Sequence, residues 1–287
     1  MTTPTLQTAL FLASRPKTWI AGLSPVLIGA ALASSKGPLS WSLFLYSLLF
    51  SLFIQIGTNY ANDYFDFLNG ADTAKRTGPA RAVASGWLSP ELMRNAFSAF
   101  FGAAFLVSLP LVYACGPWAL AFVFSSITFG ILYTGGPRPL GYIGLGELLV
   151  LIYFGPVAIL GTYFVQRQEV SLPLFFLSLS PGLFSCAVLI ANNLRDEESD
   201  RAARKNTLVV RFGKTFGRCE YVTSLGVAYL IPLLLGFFLP VLTLPLALLL
   251  VRKAWSQDLV PLLPQTAFLF TLFTALLCTH CILISSL

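Results

Sequence analysis

Residues 172–200 read LPLFFLSLSPGLFSCAVLIANNLRDEESD. No charged side chain occurs from Leu172 to Leu194, and then Arg195, Asp196, Glu197, Glu198 and Asp200 follow within six residues. A helix needs ~20 apolar residues to cross a bilayer core of ~30 Å, so the uncharged part is long enough to span a membrane. Continued as a helix, the segment puts Asn192, Asp196 and Asp200, spaced by four, on one face. An apolar span thus ends in a stripe of amide and carboxylate oxygens.

The rest of the chain repeats this texture. Of 287 residues, 56% are hydrophobic and only 10% charged, against roughly 25% charged in an ordinary soluble domain. That excludes a soluble globular protein, and the high hydrophobicity excludes disorder. The apolar residues run continuously and do not alternate, which argues against a transmembrane β-barrel. Spans are expected at 19–33, 41–61, 92–114, 118–133, 143–165, 172–194, 219–238, 240–251 and 266–286. The fold class is therefore all-α: a polytopic membrane protein of about nine transmembrane helices, with residues 1–287 forming a single integral membrane domain.

Thirty charges are informative by position. With a cytoplasmic N-terminus, 16 of the 18 Lys and Arg fall on inside segments, and only Lys36 and Arg167 fall outside. Such asymmetry fixes orientation and puts the C-terminus outside a cell (inner, cytoplasmic) membrane. The net charge of +6 reflects this topology, so no nucleic acid is implied, and nothing in the sequence points to a protein partner.

The acids need another explanation. Nine of the 12 lie in two cytoplasmic segments, each following a span. The first cluster reads Asn59-Tyr60-Ala61-Asn62-Asp63-Tyr64-Phe65-Asp66, with Asp72 beyond Gly70. On a continuing helix Asn59, Asn62, Asp63 and Asp66 share a face. The second is the stripe Asn192, Asp196 and Asp200. Like charges stacked on a helix repel, and hard oxygen donors without His or Cys suit Mg²⁺, which is commonly held by one or two carboxylates plus substrate phosphates. Basic residues follow both clusters: Lys75, Arg76 and Arg81 after the first, Arg201, Arg204 and Lys205 after the second. Carboxylates for metal beside cations for anions suit a metal–diphosphate complex.

Other motifs carry less. Gly213-Lys214-Thr215 lacks the upstream glycine of a phosphate-binding loop, since position 208 is Leu208. Gly135, Gly136, Gly141, Gly144 and Gly146 have no dinucleotide spacing and read as a tight loop with close helix packing. Cys278 and Cys281 flank the single histidine, His280, too few ligands for a metal site. Glu147, an acid within an apolar run, is a functional candidate.

Several stretches together resemble the UbiA superfamily of intramembrane aromatic prenyltransferases. Asn62-Asp63-Tyr64-Phe65-Asp66 is similar to its first Asp-rich motif and Asp196–Asp200 to its second. Within that superfamily the chain looks most like the 1,4-dihydroxy-2-naphthoate polyprenyltransferases of menaquinone synthesis. Arg15-Pro16-Lys17-Thr18-Trp19, Thr77-Gly78-Pro79, Tyr133-Thr134-Gly135-Gly136-Pro137, Phe154-Gly155-Pro156 and Asn192-Asn193-Leu194-Arg195-Asp196 carry the likeness, as does Lys205-Asn206-Thr207-Leu208. One departure stands out: the residue before Lys205 is Arg204, where usual members of the resembling family have glycine.

The resemblance implies helices bundled around a central cavity open to the cytoplasmic side. It implies a polyprenyl diphosphate donor whose chain lies among apolar helices, and an aromatic acceptor joined to it with decarboxylation. Asn62, Asp63, Asp66, Asp72, Asn192, Asp196 and Asp200 would hold Mg²⁺. Lys75, Arg76, Arg81, Tyr133, Arg138 and Lys205 would bind the diphosphate. Arg15, Lys17, Asn59 and Glu147 would contact the acceptor. Sister readings change the acceptor to 4-hydroxybenzoate, homogentisate or a dihydroxynaphthoate isomer. A CDP-alcohol phosphotransferase would keep its acids in one motif, and a cation transporter would keep them near span midpoints. Neither pattern is seen.

Overall fold

The computed structural model describes residues 4–71 and 80–285, with side chains to Leu283. Among the described residues every regular element is helical. A short helix α1 (Leu6–Ala13) precedes α2 (Trp19–Ser34), α3 (Trp41–Leu68), α4 (Pro90–Cys115) and α5 (Ala119–Leu132). Then come α6 (Gly146–Ile152), α7 (Ala158–Arg167), α8 (Leu172–Ala202), α9 (Leu208–Leu234), α10 (Leu244–Ala254) and α11 (Leu262–Ser285). With α6 and α7 taken as one broken rod, nine rods follow α1 among the described residues. Among the described residues six segments are long and apolar enough to cross a membrane: Pro16–Ser34, Trp41–Leu68, Pro90–Cys115, Gly146–Arg167, Leu172–Ala202 and Leu262–Leu283.

The expected spans differ from the helices chiefly at their polar ends. Residues 195–218, expected as a long loop, are mostly helix, because α8 runs on to Ala202 and α9 starts at Leu208. Likewise α3 continues to Leu68. The loss of apolar residues marks where a helix leaves the hydrocarbon, and α8 holds its extension with the i,i+4 pair Glu197–Arg201 at 2.5 Å. The expected span 143–165 is interrupted by a π-helical turn, Tyr153–Val157, where Gly155 adopts φ −107° and ψ −106°. Pro156 has no N–H to donate into the ladder, a common cause of such breaks.

Among the described residues two apolar cores form. One joins α2, α7, α8, α9, α10 and α11 around Phe184, Tyr221, Phe270 and Phe273. The other joins α1, α3, α4 and the turn after Arg81 around Tyr60, Met93, Phe97 and Phe101. Glycines set the crossing of α8 on the broken rod: a Cβ on Gly182 would lie 2.7 Å from the Leu151 carbonyl oxygen, and one on Gly155 2.8 Å from that of Ser178. This contact brings Asn193 on α8 to Glu147 on α6. His280 is structural, its Nδ1 accepting from the Leu239 amide at 3.3 Å.

Candidate active site

Between the helices lies one large cavity of about 650 Å³, walled by α2, α3, α4, α5, the α6–α7 rod and α8. One side of α3 supplies a continuous polar stripe to it: Ser47, Ser51, Gln55, Asn59, Asn62 and Asp66. From Ser47 to Asp66 such a helix rises ~28 Å, close to the thickness of a bilayer core. At the Asp66 end the wall is polar and charged, with Arg15, Arg81, Asn192, Asn193 and Lys205. Towards the other end it is apolar, with Leu111, Val112, Cys115, Trp118, Phe122, Phe164 and Val165.

At the polar mouth, Asp66 is almost fully buried and takes two donors. Arg81 Nη2 stands 2.6 Å from Oδ2, and the Tyr142 hydroxyl donates to Oδ1 at 2.8 Å. Asn62 Oδ1 accepts from the Thr134 hydroxyl at 2.8 Å. In the second cluster Arg195 grips Asp196 through both carboxylate oxygens, at 2.7 and 2.6 Å, and also donates to Asn192 Oδ1 at 2.8 Å. Lys205 Nζ lies 3.9 Å from Asp200 Oδ1 and 5.4 Å above the Tyr142 ring. The repulsion expected within each acidic stripe is thus offset by cations of this chain. Tyr142 joins the clusters, since its carbonyl also accepts the Asn206 amide at 2.9 Å.

The cavity takes in some of the residues singled out in the sequence and leaves others aside. Arg15, Asn59, Asn62, Asp66, Arg81, Tyr133, Glu147, Asn192 and Lys205 line it. Asp196 and Asp200 stand just behind Asn192 and Lys205, engaged by the cations above. Asp63 is turned from the wall: its two oxygens accept the Ala82 and Val83 amides, each at 3.0 Å. Lys17 and Arg138 are exposed and do not border the cavity. Asp72, Lys75 and Arg76 lie outside the described residues.

Local folding explains the placements. Arg15 has φ +52°, a left-handed conformation that is costly without glycine and concentrates at functional sites. The chain reverses there between α1 and the 3₁₀ turn Pro16–Thr18. The reversal is pinned by the Ser14 carbonyl, which accepts from Trp19 Nε1 at 2.9 Å and Asn59 Nδ2 at 2.8 Å. Tyr133 is packed by the glycine-rich stretch: a Cβ on Gly141 would lie 3.2 Å from its ring, and one on Gly146 3.0 Å from its hydroxyl. Glu147 is buried and accepts from Asn193 Nδ2 at 2.8 Å.

Sequence reasoning missed Tyr142, Thr134, Gln55 and Thr18. Tyr142 sat within the glycine-rich loop, and its aromatic ring between glycines was the available signal. Gln55 and Thr18 surround Asn59, whose Nδ2 is 3.2 Å from the Thr18 hydroxyl.

The donor set is one of hard oxygens: Asn62, Asp66, Asn192, Asp196 and Asp200. Among the described residues no three His, Cys, Asp or Glu form a closed metal cage. Mg²⁺ is usually held by one or two carboxylates, with substrate phosphates and water completing its shell, and these residues fit that mode.

The profile of the UbiA prenyltransferase family matches residues 22–277, nearly the whole bundle. The chain belongs to the UbiA prenyltransferase family. Among family members, the 1,4-dihydroxy-2-naphthoate octaprenyltransferase of Mycobacterium tuberculosis is 36% identical over 262 residues, covering 88% of this chain and 89% of that protein. The protein of the same name from Haemophilus influenzae is 32% identical, covering 92% of each. The UbiA fold is seen directly in a UbiA homologue from Archaeoglobus fulgidus bound to DMAPP and Mg²⁺. It superposes with a TM-score of 0.67 at 14% identity, over 97% of this chain and 99% of that one. This UbiA-family chain is a multi-pass membrane prenyltransferase.

Proposed function

We propose that this chain, as one integral membrane domain, transfers a polyprenyl group from polyprenyl diphosphate to 1,4-dihydroxy-2-naphthoate, with decarboxylation, giving the hydroquinone form of demethylmenaquinone. The observation that carries the reading is a large cavity with a charged mouth and an apolar depth. A diphosphate with a long hydrocarbon tail has the same two-part character. The relatives named for this reaction support the choice of acceptor.

The diphosphate lies at the mouth, where Arg81 and Lys205 supply positive charge and Tyr133 a hydroxyl. Asn62, Asp66, Asn192, Asp196 and Asp200 are the residues to hold Mg²⁺, which when bound offsets the charge of the departing diphosphate. Cations positioned where charge develops stabilise the transition state. The prenyl tail runs along the apolar wall towards Trp118 and Phe122. Away from the mouth the walls are apolar and offer water few partners, so the allylic cation left by ionisation meets the acceptor ring before it meets solvent. Arg15 is the residue for the acceptor carboxylate, because it reaches the cavity beside Asn59 while Lys17 does not. Glu147, held by Asn193, accepts a hydrogen bond from a ring hydroxyl. Bonding of the ring carbon to the prenyl cation, with loss of CO₂, returns the ring to aromaticity.

We read that end as facing the cytoplasm of the cell membrane, with the N-terminus inside and the C-terminus outside; the basic residues beside the mouth support this reading through the positive-inside rule. The test is turnover of purified protein with octaprenyl diphosphate, Mg²⁺ and a panel of aromatic acids, products identified by mass. The expected product is the naphthoate plus the prenyl group less CO₂. Product with 4-hydroxybenzoate alone moves the reading to a sister acceptor, and no product with any acceptor overturns it.

A further inference from the structure

Asp63 is only 1% exposed, yet it does not border the cavity whose mouth its neighbours Asn62 and Asp66 form. Its oxygens are spent one each on successive backbone amides: Oδ2 accepts from Ala82 and Oδ1 from Val83, both at 3.0 Å. A carboxylate receiving two adjacent N–H groups fixes the position and direction of that backbone, and charge-assisted bonds of this kind are stronger than neutral ones. The residue fixed is the one next to Arg81. The turn is closed further along by Ser85 N to the Arg81 carbonyl at 2.9 Å and Trp87 N to that of Ala82 at 2.9 Å. Ala82, Val83 and Leu88 are buried against α3 and α4. Out of this turn Arg81 reaches Asp66 at 2.6 Å.

We propose that Asp63 is a positioning residue and not a metal ligand: it clamps the 81–85 turn onto α3 so that Arg81 stands at the diphosphate mouth. The adjacent acids of the first motif then divide the work. Asp66 faces the mouth, and Asp63 sets the cation beside it. This inference rests on the proposed diphosphate site for its functional consequence, but the clamp itself is a contact within the chain.

The experiment uses full-length protein in nanodiscs with inorganic diphosphate and Mg²⁺ as the probe. Asp63→Asn keeps the volume but replaces one acceptor with a donor facing an N–H. Its diphosphate affinity is expected to fall about tenfold or more, with the Mg²⁺ concentration for half-saturation unchanged. Asp66→Asn is expected to raise that Mg²⁺ concentration. In an Arg81→Ala background Asp63→Asn should cost little more, since its effect passes through Arg81. Losses that multiply in the double variant, or a raised Mg²⁺ requirement in Asp63→Asn, overturn the proposal.

Hydrogen exchange separates failure of the clamp from failure of the site. In the unmodified chain the Ala82 and Val83 amides should exchange slowly with or without probe. Fast exchange there overturns the clamp, even if Asp63→Asn does not fold. Slow exchange in a chain that binds no diphosphate keeps the clamp and removes the function proposed for the mouth.

Discussion

The Tyr142 hydroxyl donates to Asp66 Oδ1 at 2.8 Å, joining residues 76 positions apart. Through it the first acidic cluster meets the second, because the Tyr142 ring lies under Lys205 and Lys205 lies beside Asp200. The glycine-rich turn between α5 and α6 therefore tethers the two sides of the mouth. Neither acidic cluster alone sets the spacing across which a diphosphate must fit.

Removing that hydroxyl by Tyr142→Phe leaves Asp66 with one donor in place of two. A hydrogen bond to a charged group is worth about 1.5–3 kcal/mol, so Mg²⁺–diphosphate affinity should weaken by roughly 10- to 100-fold. Calorimetry with inorganic diphosphate and Mg²⁺ reads this directly. Unchanged affinity would show that the mouth keeps its geometry without the tether.

Asp66→Asn and Asp196→Asn test the carboxylates. Each substitution preserves size and some hydrogen bonding while removing a charge that would face metal. Prenyl transfer is expected to drop by about 100-fold or more in kcat/KM, with the protein still folded by size-exclusion profile and thermal melt. EDTA should stop turnover of the unsubstituted chain, and Mg²⁺ should restore it. Full activity of either variant would remove its carboxylate from the metal site.

How much of this was legible in the sequence depended on whether local pattern or tertiary contact decided it. Apolar runs located the helices, and the four-residue spacing of Asn192, Asp196 and Asp200 placed them on one face of α8. The helix ends were less legible. Charge at residues 195–202 reports exit from the membrane and is silent on whether the backbone stays helical. Pairing was least legible: Arg81 reaches Asp66 only because the turn at 81–85 folds back on α3. Asp63 and Asp66 look equivalent in sequence, yet one faces backbone amides and the other the cavity. Lys17 and Arg15 differ likewise, because the reversal at Arg15 directs one inward and leaves the other exposed.

Arg204 is a case where the sequence signal and the structure meet. The family resemblance leads one to expect glycine at this position, and the backbone here takes φ +56°. Arg204 ends the helix that carries the second cluster, with its amide on the Arg201 carbonyl at 3.1 Å and the Lys205 amide on that of Asp200 at 2.8 Å. A side chain costs about 1 kcal/mol in this left-handed region, which glycine occupies freely. Arg204→Gly should therefore stabilise the folded protein by about 1 kcal/mol. A thermal melt in detergent should show a higher Tm, and a lower one would mean that the Arg204 side chain itself contributes more than its backbone strain costs.

The apolar depth of the cavity is open to a steric test at Gly161. This α7 residue lines the cavity, and a Cβ built on it meets nothing within 4 Å. Gly161→Trp should thus project into the space proposed for the prenyl tail without displacing backbone, and replacing a helix glycine by Trp favours the helix by roughly 0.5 kcal/mol. The charged mouth, at the Asp66 end, is untouched. The variant should keep its affinity for Mg²⁺ with inorganic diphosphate. It should turn over geranyl diphosphate within about threefold of the parent chain while losing tenfold or more in kcat/KM with octaprenyl diphosphate. The comparison of the two donors carries the test, because a general folding defect lowers both rates together. Equal loss with short and long donors, in a protein that still binds diphosphate, would place the tail along another wall.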